Sequence, residues 1–419
     1  MSNFTSQPLP PPAITAEIIE ILQSLDESVT SLEKCITLPP ATYTSEAWFE
    51  FEKRAVWDSE WICVGHIGHI PRVGDYTSIT INEEPLLVLR SENDTVKVMS
   101  SVCQHRGHVL GEQSGNTQYF TCPFHSWSYD LNGKLVSAPE MDAHASLEEL
   151  QRDHCLPIIR SEIWNGFIFA NFDGQAAALA PRLKRLSAEI ENHHLGEMGA
   201  TPTVDWSGNP WNWKYMHENA IEPHHTRYLH KGPHDFAPSN LATFVEWDEA
   251  DDGAVFHPTG FMYRDGNFTP GFKSMFPVID TLTESERERV MFACVLPNLF
   301  FGCVPDGCFY YWILPNGAND LTLRVGFLYP HSTLRQPTFD LVFKSVVDGL
   351  SIFNDQDVVA NTASHKGLRS RFANRGRYAP NEATLPQMNK WLVKRYKAYA
   401  ESLGIDLTQM PSGKRDNVA

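Results

Sequence analysis

The chain has 419 residues, 42% of them hydrophobic and 11% aromatic, which is enough for one large or two medium domains with a buried core. Its 34 basic and 51 acidic residues give a formal net charge of −17, which argues against nucleic acid and anionic membranes as partners. No run of about 18 apolar residues predicts a membrane span, and residues 1–12 are polar and proline-rich, unlike a secretory signal. The eight scattered cysteines favour a reducing, cytoplasmic location, with six of them expected to be buried free thiols.

Two helices are expected near the N-terminus. Isoleucine and leucine recur at nearly helical spacing over residues 13–25, and a second helical pattern over residues 45–57 begins with Thr44 or Ser45 as its N-cap. From residue 61 to 172 the pattern changes to short alternating segments and turns, including a hairpin with an Asn132-Gly133 turn. This texture predicts a small all-β domain.

Two cysteine–histidine pairs lie in this β region, Cys103-Gln-His105 and Cys122-Pro-Phe-His125, with sixteen residues between them. Two thiolates and two imidazoles can hold the two irons of a 2Fe–2S cluster, and the neutral imidazoles raise its potential. The same residue types also suit tetrahedral zinc, but zinc sites usually space their ligands as C-x-x-C or H-x-x-x-H. The pattern therefore favours a redox centre over a structural zinc site.

The rest of the chain mixes helices and strands. Helices are predicted over residues 181–191, 340–363 and 385–402, and β structure over residues 240–330 with a turn at residues 251–253. Six aromatic residues of this β region are expected to supply either pocket wall or plain sheet core: Phe292, Phe300, Phe301, Tyr310, Tyr311 and Trp312.

Residues 212–230 begin as a helical pattern and concentrate four histidines and two carboxylates. An oxygen-activating mononuclear iron commonly uses two histidines and one carboxylate and keeps open positions. His225 and His230 are five residues apart, so an ideal helix would separate them by about 140°. They can converge only if the helix ends or distorts, and Pro223 supports an irregular backbone there. The other two histidines of the segment are interpreted as surface or core residues, and Glu218 as a helix-surface charge.

The order of these motifs resembles the large (α) subunit of the Rieske non-haem iron oxygenases. The flanks Cys103-Gln-His-Arg-Gly and Cys122-Pro-Phe-His-Ser-Trp are similar to the two loops of Rieske domains, and Asn212-Trp-Lys is followed by E-N and E-x-x-H-x-x-x-x-H. The resemblance extends from about residue 44 to 399. It implies that a 2Fe–2S cluster is bound by two cysteines and two histidines, and a mononuclear Fe(II) by two further histidines: Cys103, His105, Cys122 and His125, then His225 and His230.

The resemblance also implies roles for three further residues. The third iron ligand of the family is a late aspartate, matched here by Asp357 ahead of His365-Lys-Gly-Leu-Arg-Ser, with Asp355 as the rival. Glu222 takes the position of a bridging acid that contacts a Rieske histidine of a neighbouring subunit. Asn219 matches a family asparagine near the iron.

The implied fold is α+β. An all-β Rieske 2Fe–2S domain is expected beside a larger catalytic domain with an antiparallel sheet flanked by helices, of the helix-grip, START-like type. The expected boundaries are a disordered lead-in and helix over residues 1–43, the Rieske domain with its leading helix over residues 44–178, and the catalytic mononuclear iron domain over residues 179–419.

The implied function is that of a terminal oxygenase component. It would use O2 and electrons from a separate NAD(P)H-dependent flavin/iron–sulfur reductase, or a ferredoxin, to hydroxylate a small organic substrate, within a ring-shaped homotrimer. Monohydroxylation or dihydroxylation of an aromatic ring competes with hydroxylation of a quaternary ammonium or N-methyl compound that leads to C–N cleavage or demethylation. A non-catalytic Rieske electron-transfer protein and a degenerate ligand-binding homologue are more remote. Respiratory Rieske proteins have an extra cysteine in each loop, where this chain has His108 and Phe124.

Overall fold

The structure of the chain, a computed structural model, describes residues 10–111 and 113–407. The helices in these ranges are α1 (Ala16–Ser24), α2 (Ala41–Thr44), α3 (Glu46–Glu52), α4 (Leu147–Asp153), α5 (Lys184–Glu189), α6 (Trp213–Ile221), α7 (Glu284–Arg287), α8 (His331–Leu334), α9 (Phe339–Leu368) and α10 (Leu385–Ser402). The expected disordered lead-in falls partly on residues 1–9, which lie outside the described residues.

The strands form antiparallel sheets. They are β1 (Ile62–His66), β2 (Asp75–Ile81), β3 (Glu84–Arg90), β4 (Val96–Ser100), β5 (Gly115–Asn116), β6 (Tyr119–Thr121), β7 (Ser128–Asp130), β8 (Leu135–Ser137), β9 (Ile158–Trp164), β10 (Phe167–Asn171), β11 (Gly199–Ala200), β12 (Val204–Asn209), β13 (Ala254–Gly260), β14 (Arg289–Val295), β15 (Leu299–Val304), β16 (Gly307–Gly317) and β17 (Asp320–Tyr329).

Both predicted N-terminal helices are present, although the first begins at Ala16 instead of residue 13, and side-chain caps show how the chain starts them. The Thr15 side chain accepts a hydrogen bond from the backbone N–H of Ile18 at 3.3 Å, and Ser45 accepts one from Trp48 at 3.3 Å. Each contact satisfies a backbone donor that the first turn of a helix leaves free. Beyond α3 the chain continues as a π-helical turn over Lys53–Trp57, so the predicted second segment is helical nearly throughout.

The predicted all-β domain consists of a seven-stranded sheet and a three-stranded sheet. The order of the first is β1-β10-β9-β4-β3-β2-β5 and that of the second is β6-β7-β8. Gly133 has a φ of +79° in the tight connection between β7 and β8, a conformation that glycine adopts without a steric penalty. The small sheet positions one of the cysteine–histidine loops, because β6 and β7 are its two flanks.

The second large sheet has the order β11-β17-β16-β15-β14-β13, with β12 also paired to β17. One face packs against α6, and the other lies against the Rieske-like domain, where Phe301 contacts the rings of Trp164 and Phe167. The side-chain amide of Asn298 joins the domains by pairing with both the N–H and the C=O of Cys63 at 2.8 Å. Because both faces are covered, the central strands β14, β15 and β16 are buried along nearly their whole length rather than at alternate residues.

A buried cluster of two arginines and two carboxylates ties distant segments together. Arg182 contacts Glu60 at 2.9 Å and Asp252 at 2.8 Å, and Arg395 of α10 contacts the same two carboxylates at 2.6 and 3.0 Å. The turn predicted at residues 251–253 therefore also carries a charge that holds the start of the all-β domain to the C-terminal helix.

The structure can be compared with the expectations about free thiols and membrane spans. All eight cysteines are free thiols, and of the six outside the motifs only Cys155 is half-buried rather than buried. None of the helices in the described ranges combines the length and apolarity needed to cross a bilayer. The domain boundaries at residues 43 and 178 stay a prediction.

Helix α6 is anchored by a fully buried ion pair. The Lys214 ammonium lies 2.7 Å from Glu52 Oε1, and neither side chain is exposed. The indole N–H of Trp213 and the hydroxyl of Tyr396 also donate to the Glu52 carboxylate. Burial lowers the pKa of Lys214, and the charge and hydrogen bonds of Glu52 oppose that effect. The pair joins α3, α6 and α10 in a region with no solvent to replace either partner.

The interpretation of Glu218 as a helix-surface charge is wrong. Its carboxylate is half-buried in the second half of α6 and accepts a hydrogen bond from the Tyr43 hydroxyl at 2.5 Å. Burial raises its pKa from 4.5 to about 7, reinforced by the like charges of Glu222 and Glu382 and opposed by Tyr43 and Lys214. An amphipathic pattern cannot reveal this burial, because the covering residues come from the distant N-terminal segment.

We predict that Lys214→Met lowers the free energy of unfolding by about 3–5 kcal/mol, because it leaves the Glu52 charge buried without its partner. Chemical denaturation followed by circular dichroism measures the change. The matched control is Lys344→Met in the exposed Lys344–Asp348 pair, whose side chains are 73% and 58% exposed and which should cost less than about 1 kcal/mol. Equal losses in the two variants would contradict the structural role of the buried pair.

We predict a second stability effect that depends on pH. The folded state holds a proton on Glu218 up to about pH 7, whereas the unfolded chain releases it near 4.5, so this carboxyl makes the free energy of unfolding fall as the pH rises through that window. Glu218→Gln should remove this component, and its stability relative to the wild type should rise between those two pH values. Denaturation curves across the range test it, with the exposed Glu148→Gln as control. A parallel pH dependence of wild type and variant would rule the assignment out.

Candidate functional site

The two cysteine–histidine loops share one backbone geometry. The N–H of Cys103 donates to the carbonyl of His108 at 2.8 Å, and the N–H of Gly107 returns to the carbonyl of Cys103 at 3.0 Å. In the second loop the N–H of Cys122 donates to the carbonyl of Trp127 at 2.8 Å, and the N–H of Ser126 donates to the carbonyl of Cys122 at 2.9 Å. The sequence spacing of donor and acceptor is the same in both loops. The fourth residue after each cysteine has a positive φ, +77° at Gly107 and +59° at Ser126. Only one loop uses glycine for this turn, so the second carries local strain.

The loops bring the four predicted cluster ligands together in two pairs. Cys103 and Cys122 are buried and interact through their thiols, and the rings of His105 and His125 lie 4.6 Å apart. The Nδ1 atoms of both histidines are buried and have no hydrogen-bond partner among the residues that the structure describes. Buried polar atoms without partners are rare, so both nitrogens have the character of ligand atoms.

Aromatic side chains surround the loops. The Tyr129 hydroxyl lies 3.4 Å from Cys103 Sγ and accepts a hydrogen bond from the N–H of Gln104 at 3.0 Å. The indole of Trp127 stacks on His105 with ring centroids 4.8 Å apart. Burial raises the pKa of Cys103, and the hydrogen bond with Tyr129 opposes this rise. Hydrogen bonds to cluster sulfurs and burial are the features that set the potential of such a centre.

The histidine segment converges because α6 ends. The helix stops at Ile221, Glu222 is extended (φ −111°, ψ 117°), and a 3-10 turn follows over His225–Arg227. Pro223 has no N–H to continue the helical hydrogen bonds. The rings of His225 and His230 come within 5.0 Å of each other, which an uninterrupted helix would not allow.

Asp357 of α9 completes the group. Its Oδ1 lies 3.0 Å from Nε2 of His230 and 3.8 Å from Nε2 of His225. The rival Asp355 is exposed and does not belong to the group. Two imidazole nitrogens and one carboxylate oxygen on one side of a pocket match the facial arrangement that non-haem Fe(II) enzymes use.

Neighbouring side chains hold the histidines with Nε2 turned toward Asp357. His225 Nδ1 donates to Glu222 Oε1 at 2.8 Å, and His230 Nδ1 donates to Gln356 Oε1 at 2.6 Å. Each contact fixes the tautomer that leaves Nε2 free for a metal. Burial alone lowers the pKa of His225, but the hydrogen bond and charge of Glu222 outweigh it and raise that pKa. A divalent cation bound by the three groups would provide the positive charge that these carboxylates favour.

Asn219 and Glu222 both lie at this site. Asn219 Nδ2 donates to Asp357 Oδ1 at 3.1 Å, so it orients the carboxylate. Glu222 contacts His225 within the same chain. Its predicted contact with a Rieske histidine of a neighbouring subunit involves a second chain and stays a prediction.

The three groups line a small pocket with a cavity volume of about 70 Å³. Six aromatic rings from the sheet, α9 and the preceding loops line it: Phe268, Phe292, Phe300, Phe309, Tyr311 and Phe353. Of the aromatic residues considered as pocket wall from the sequence, half line it. Phe301, Tyr310 and Trp312 point to the opposite face of the sheet, toward His69 and Phe167, because neighbouring residues of a strand alternate.

Several residues at the site are absent from the sequence-based prediction. His234 stacks on His230 at 6.0 Å, Gln356 holds its ring, and His257 lies in the pocket wall. The spacing His230-x-x-x-His234 was the one available signal, and it does not distinguish a supporting histidine from a ligand. Gln356 and His257 come from distant elements, so only the fold identifies them.

Comparison with known families supports this arrangement. The ring hydroxylating alpha subunit (catalytic domain) family matches residues 187–398, half of the chain, and the Rieske [2Fe-2S] domain family matches residues 60–152. The first match contains the histidine segment and Asp357, and the second contains both cysteine–histidine loops.

Curated relatives fall into two groups. The carnitine monooxygenase oxygenase subunit of Acinetobacter pittii is 31% identical over 204 residues, 47% of this chain and 53% of the relative. Biphenyl 2,3-dioxygenase subunit alpha of Rhodococcus jostii is 33% identical over 192 residues, 44% and 41% of the two chains. The alignments therefore span about half the length of these relatives.

Solved structures show the same fold. Naphthalene 1,2-dioxygenase from Rhodococcus sp. bound to indole aligns with a TM-score of 0.76 at 21% identity, covering 93% of this chain and 99% of the other. A quaternary ammonium Rieske monooxygenase in complex with an inhibitor aligns with a TM-score of 0.73 at 20% identity, covering 90% and 98%. At these identities the likeness concerns the fold alone. Since the catalytic-domain family covers half of the chain and a Rieske domain precedes it, the protein belongs to the family of ring hydroxylating α subunits of Rieske oxygenases.

Proposed function

We propose that this protein is the terminal oxygenase component of a Rieske non-haem iron oxygenase. It would take electrons from a separate NAD(P)H-dependent reductase, of the flavin/iron–sulfur type, or from a ferredoxin, and use O2 to hydroxylate a small aromatic substrate. The observation that carries the proposal is the presence of two different donor sets on one chain. Paired thiols and imidazoles lie in two loops of the all-β domain, whereas the two-histidine, one-carboxylate set opens into an aromatic pocket.

Each donor set has its own assignment. Cys103, His105, Cys122 and His125 would hold a 2Fe–2S cluster, and His225, His230 and Asp357 would hold Fe(II). When bound, the cluster supplies one-electron transfer and the iron supplies O2 activation. The protein's own contribution is to keep both Nδ1 atoms of the first set unpaired and both Nε2 atoms of the second set turned toward one carboxylate oxygen.

The pocket supports an aromatic substrate. Six rings line it, and the described residues of its lining include no lysine or arginine. The lining carboxylates Glu222 and Asp357 are both engaged, the first with His225 and the second with the histidine pair and Asn219. A flat, uncharged ligand can exclude water from such a space without leaving a charge unpaired.

A quaternary ammonium or N-methyl substrate is the second candidate. The same rings could enclose a methylated cation, whose attraction to aromatic faces compensates for lost hydration, and the carnitine monooxygenase relative acts on such a compound by its name. Carnitine also has a carboxylate, however, and the described lining has no cationic side chain to pair with it. Oxygen uptake with a surrogate reductase, comparing naphthalene with glycine betaine, separates the two substrate classes.

The assembly we propose is a homotrimer in which the cluster of one chain serves the iron of its neighbour. Glu222 would link them, because its carboxylate already holds His225 and lies near the start of the segment that carries the iron ligands. The exposed Phe124, 53% accessible beside His125, gives the cluster loops an apolar surface for such a contact. A non-catalytic electron-transfer role would not account for the aromatic pocket beside His225, His230 and Asp357.

We predict that His225→Ala removes the mononuclear iron but leaves acid-labile sulfide unchanged, because the two donor sets belong to separate domains. Iron and sulfide analysis of anaerobically reconstituted protein measures both. His224→Ala is the matched control, since the adjacent ring contacts Tyr228 instead of Asp357 and its loss should leave the iron content unchanged. Full retention of iron in His225→Ala would show that the site is misplaced.

We also predict that Glu222→Gln keeps both metals yet lowers coupled turnover by a factor on the order of 10 to 100, the range expected when the partner of a metal-bound histidine is altered. Steady-state oxygen uptake with a surrogate reductase gives the rate, and iron and sulfide content confirm loading. Glu382→Gln is the control, because that carboxylate lies nearby without a hydrogen bond to His225. Undiminished turnover in Glu222→Gln would refute the bridging role.

A further inference from the structure

One polar side chain in the aromatic wall of the pocket has an atom without a partner. His257 of β13 is 1% exposed and packs between the rings of Phe244 and Phe292, at 5.8 and 5.6 Å. Its Nδ1 lies 3.2 Å from the hydroxyl of Thr259, whereas its buried Nε2 has no hydrogen-bond partner in the part of the chain that the structure describes. An unpaired buried nitrogen is unfavourable in the empty pocket and becomes favourable when a ligand pairs with it.

The imidazole of His257 is neutral near pH 7. Burial is the main cause, and it lowers the pKa of this group to about 4. A neutral ring offers one hydrogen bond through Nε2, as donor or as acceptor depending on the tautomer. Because no lysine or arginine belongs to the described lining, this end of the pocket suits an uncharged polar group rather than a carboxylate.

A series of aromatic rings connects His257 with the iron-binding trio. Successive ring contacts lead from His257 to Phe292 at 5.6 Å, to Phe268 at 5.8 Å and to Phe353 at 5.2 Å, which contacts His230 at 5.4 Å. A ligand whose polar group reaches His257 therefore extends across the aromatic wall and presents another part of its skeleton to the trio.

We propose that His257 is a specificity-determining residue and that the pocket takes an uncharged aromatic molecule with one hydrogen-bonding substituent, which pairs with His257 Nε2. This inference rests on the proposed function, in which this pocket holds the substrate. Plain hydrocarbons would fit the walls but leave the nitrogen unpaired. Carboxylates would be excluded for lack of a counter-charge.

Asn354 is the rival polar group. Its Oδ1 accepts a hydrogen bond from the Tyr311 hydroxyl at 3.0 Å, and its buried Nδ2 also has no partner within the described chain. Asn354 lies on α9 one turn before Asp357, so a group bound there would sit at the iron end of the pocket. The two residues therefore assign the polar substituent to different parts of the pocket lining.

Binding measurements on the metal-loaded protein under anaerobic conditions test the proposal. The probes are naphthalene, 2-naphthol, which can donate and accept, and quinoline, which only accepts. Isothermal titration should give the wild type a preference for 2-naphthol over naphthalene on the order of tenfold. His257→Leu should abolish this preference without weakening naphthalene, and His257→Gln should restore part of it, because an amide can pair with the same group.

Phe292→Leu is the matched control, since a smaller wall should weaken all three probes together and keep their ratio. Equal affinities in the wild type, or a 2-naphthol preference that survives in His257→Leu and disappears in Asn354→Ala, would overturn the proposal.

The affinity for quinoline identifies the tautomer of His257. If quinoline binds as tightly as 2-naphthol, Nε2 carries the proton and donates it; if quinoline binds only as tightly as naphthalene, Nε2 is the acceptor. Both results support the pairing. Oxygen uptake is scored separately, so a protein that shows the preference but no reductase-dependent uptake refutes the oxygenase function and leaves the role of His257 standing.

Discussion

The end of α6 at Ile221 is the constraint on which the candidate iron site depends. A helix that continued would send His225 and His230 in different directions, and neither could share Asp357 with the other. The extended Glu222 and the proline after it stop the helix. The Glu222 carboxylate then accepts a hydrogen bond from the Nδ1–H of His225. One break in the backbone thus sets both the position of the ligands and the tautomer of the first.

Such a break needs a rigid support, which the buried ion pair of Lys214 and Glu52 provides. It fixes the first turn of α6 to α3 and α10, while the last turn faces the pocket with Asn219. The two ends of this short helix therefore have different structural roles. Charge buried at its start holds the helix in place, and polar groups at its end orient Asp357.

The catalytic sheet separates two environments. Side chains on one face form the aromatic pocket, and those on the other pack against the Rieske domain through Phe301 and the paired amide of Asn298. This packing joins the two domains but places the cysteine–histidine loops and the group of His225, His230 and Asp357 in different regions of the chain. A homotrimer, as proposed, lets the surface loops of one chain approach the iron of another.

The chain's own residues were sufficient to predict the cluster motifs, the all-β domain, the long C-terminal helices and the need for a helix break before His230, because each depends on short-range spacing or on proline. Glu218, the orientation of alternate aromatic residues and the partners Gln356 and His257 depend on which distant segment covers them, and local patterns do not contain that information. The choice of Asp357 over Asp355 depended partly on the sequence and partly on the tertiary structure. Resemblance to a family suggested it, and the packing of α9 on the pocket decided which of two carboxylates, half a turn apart, faces the histidines.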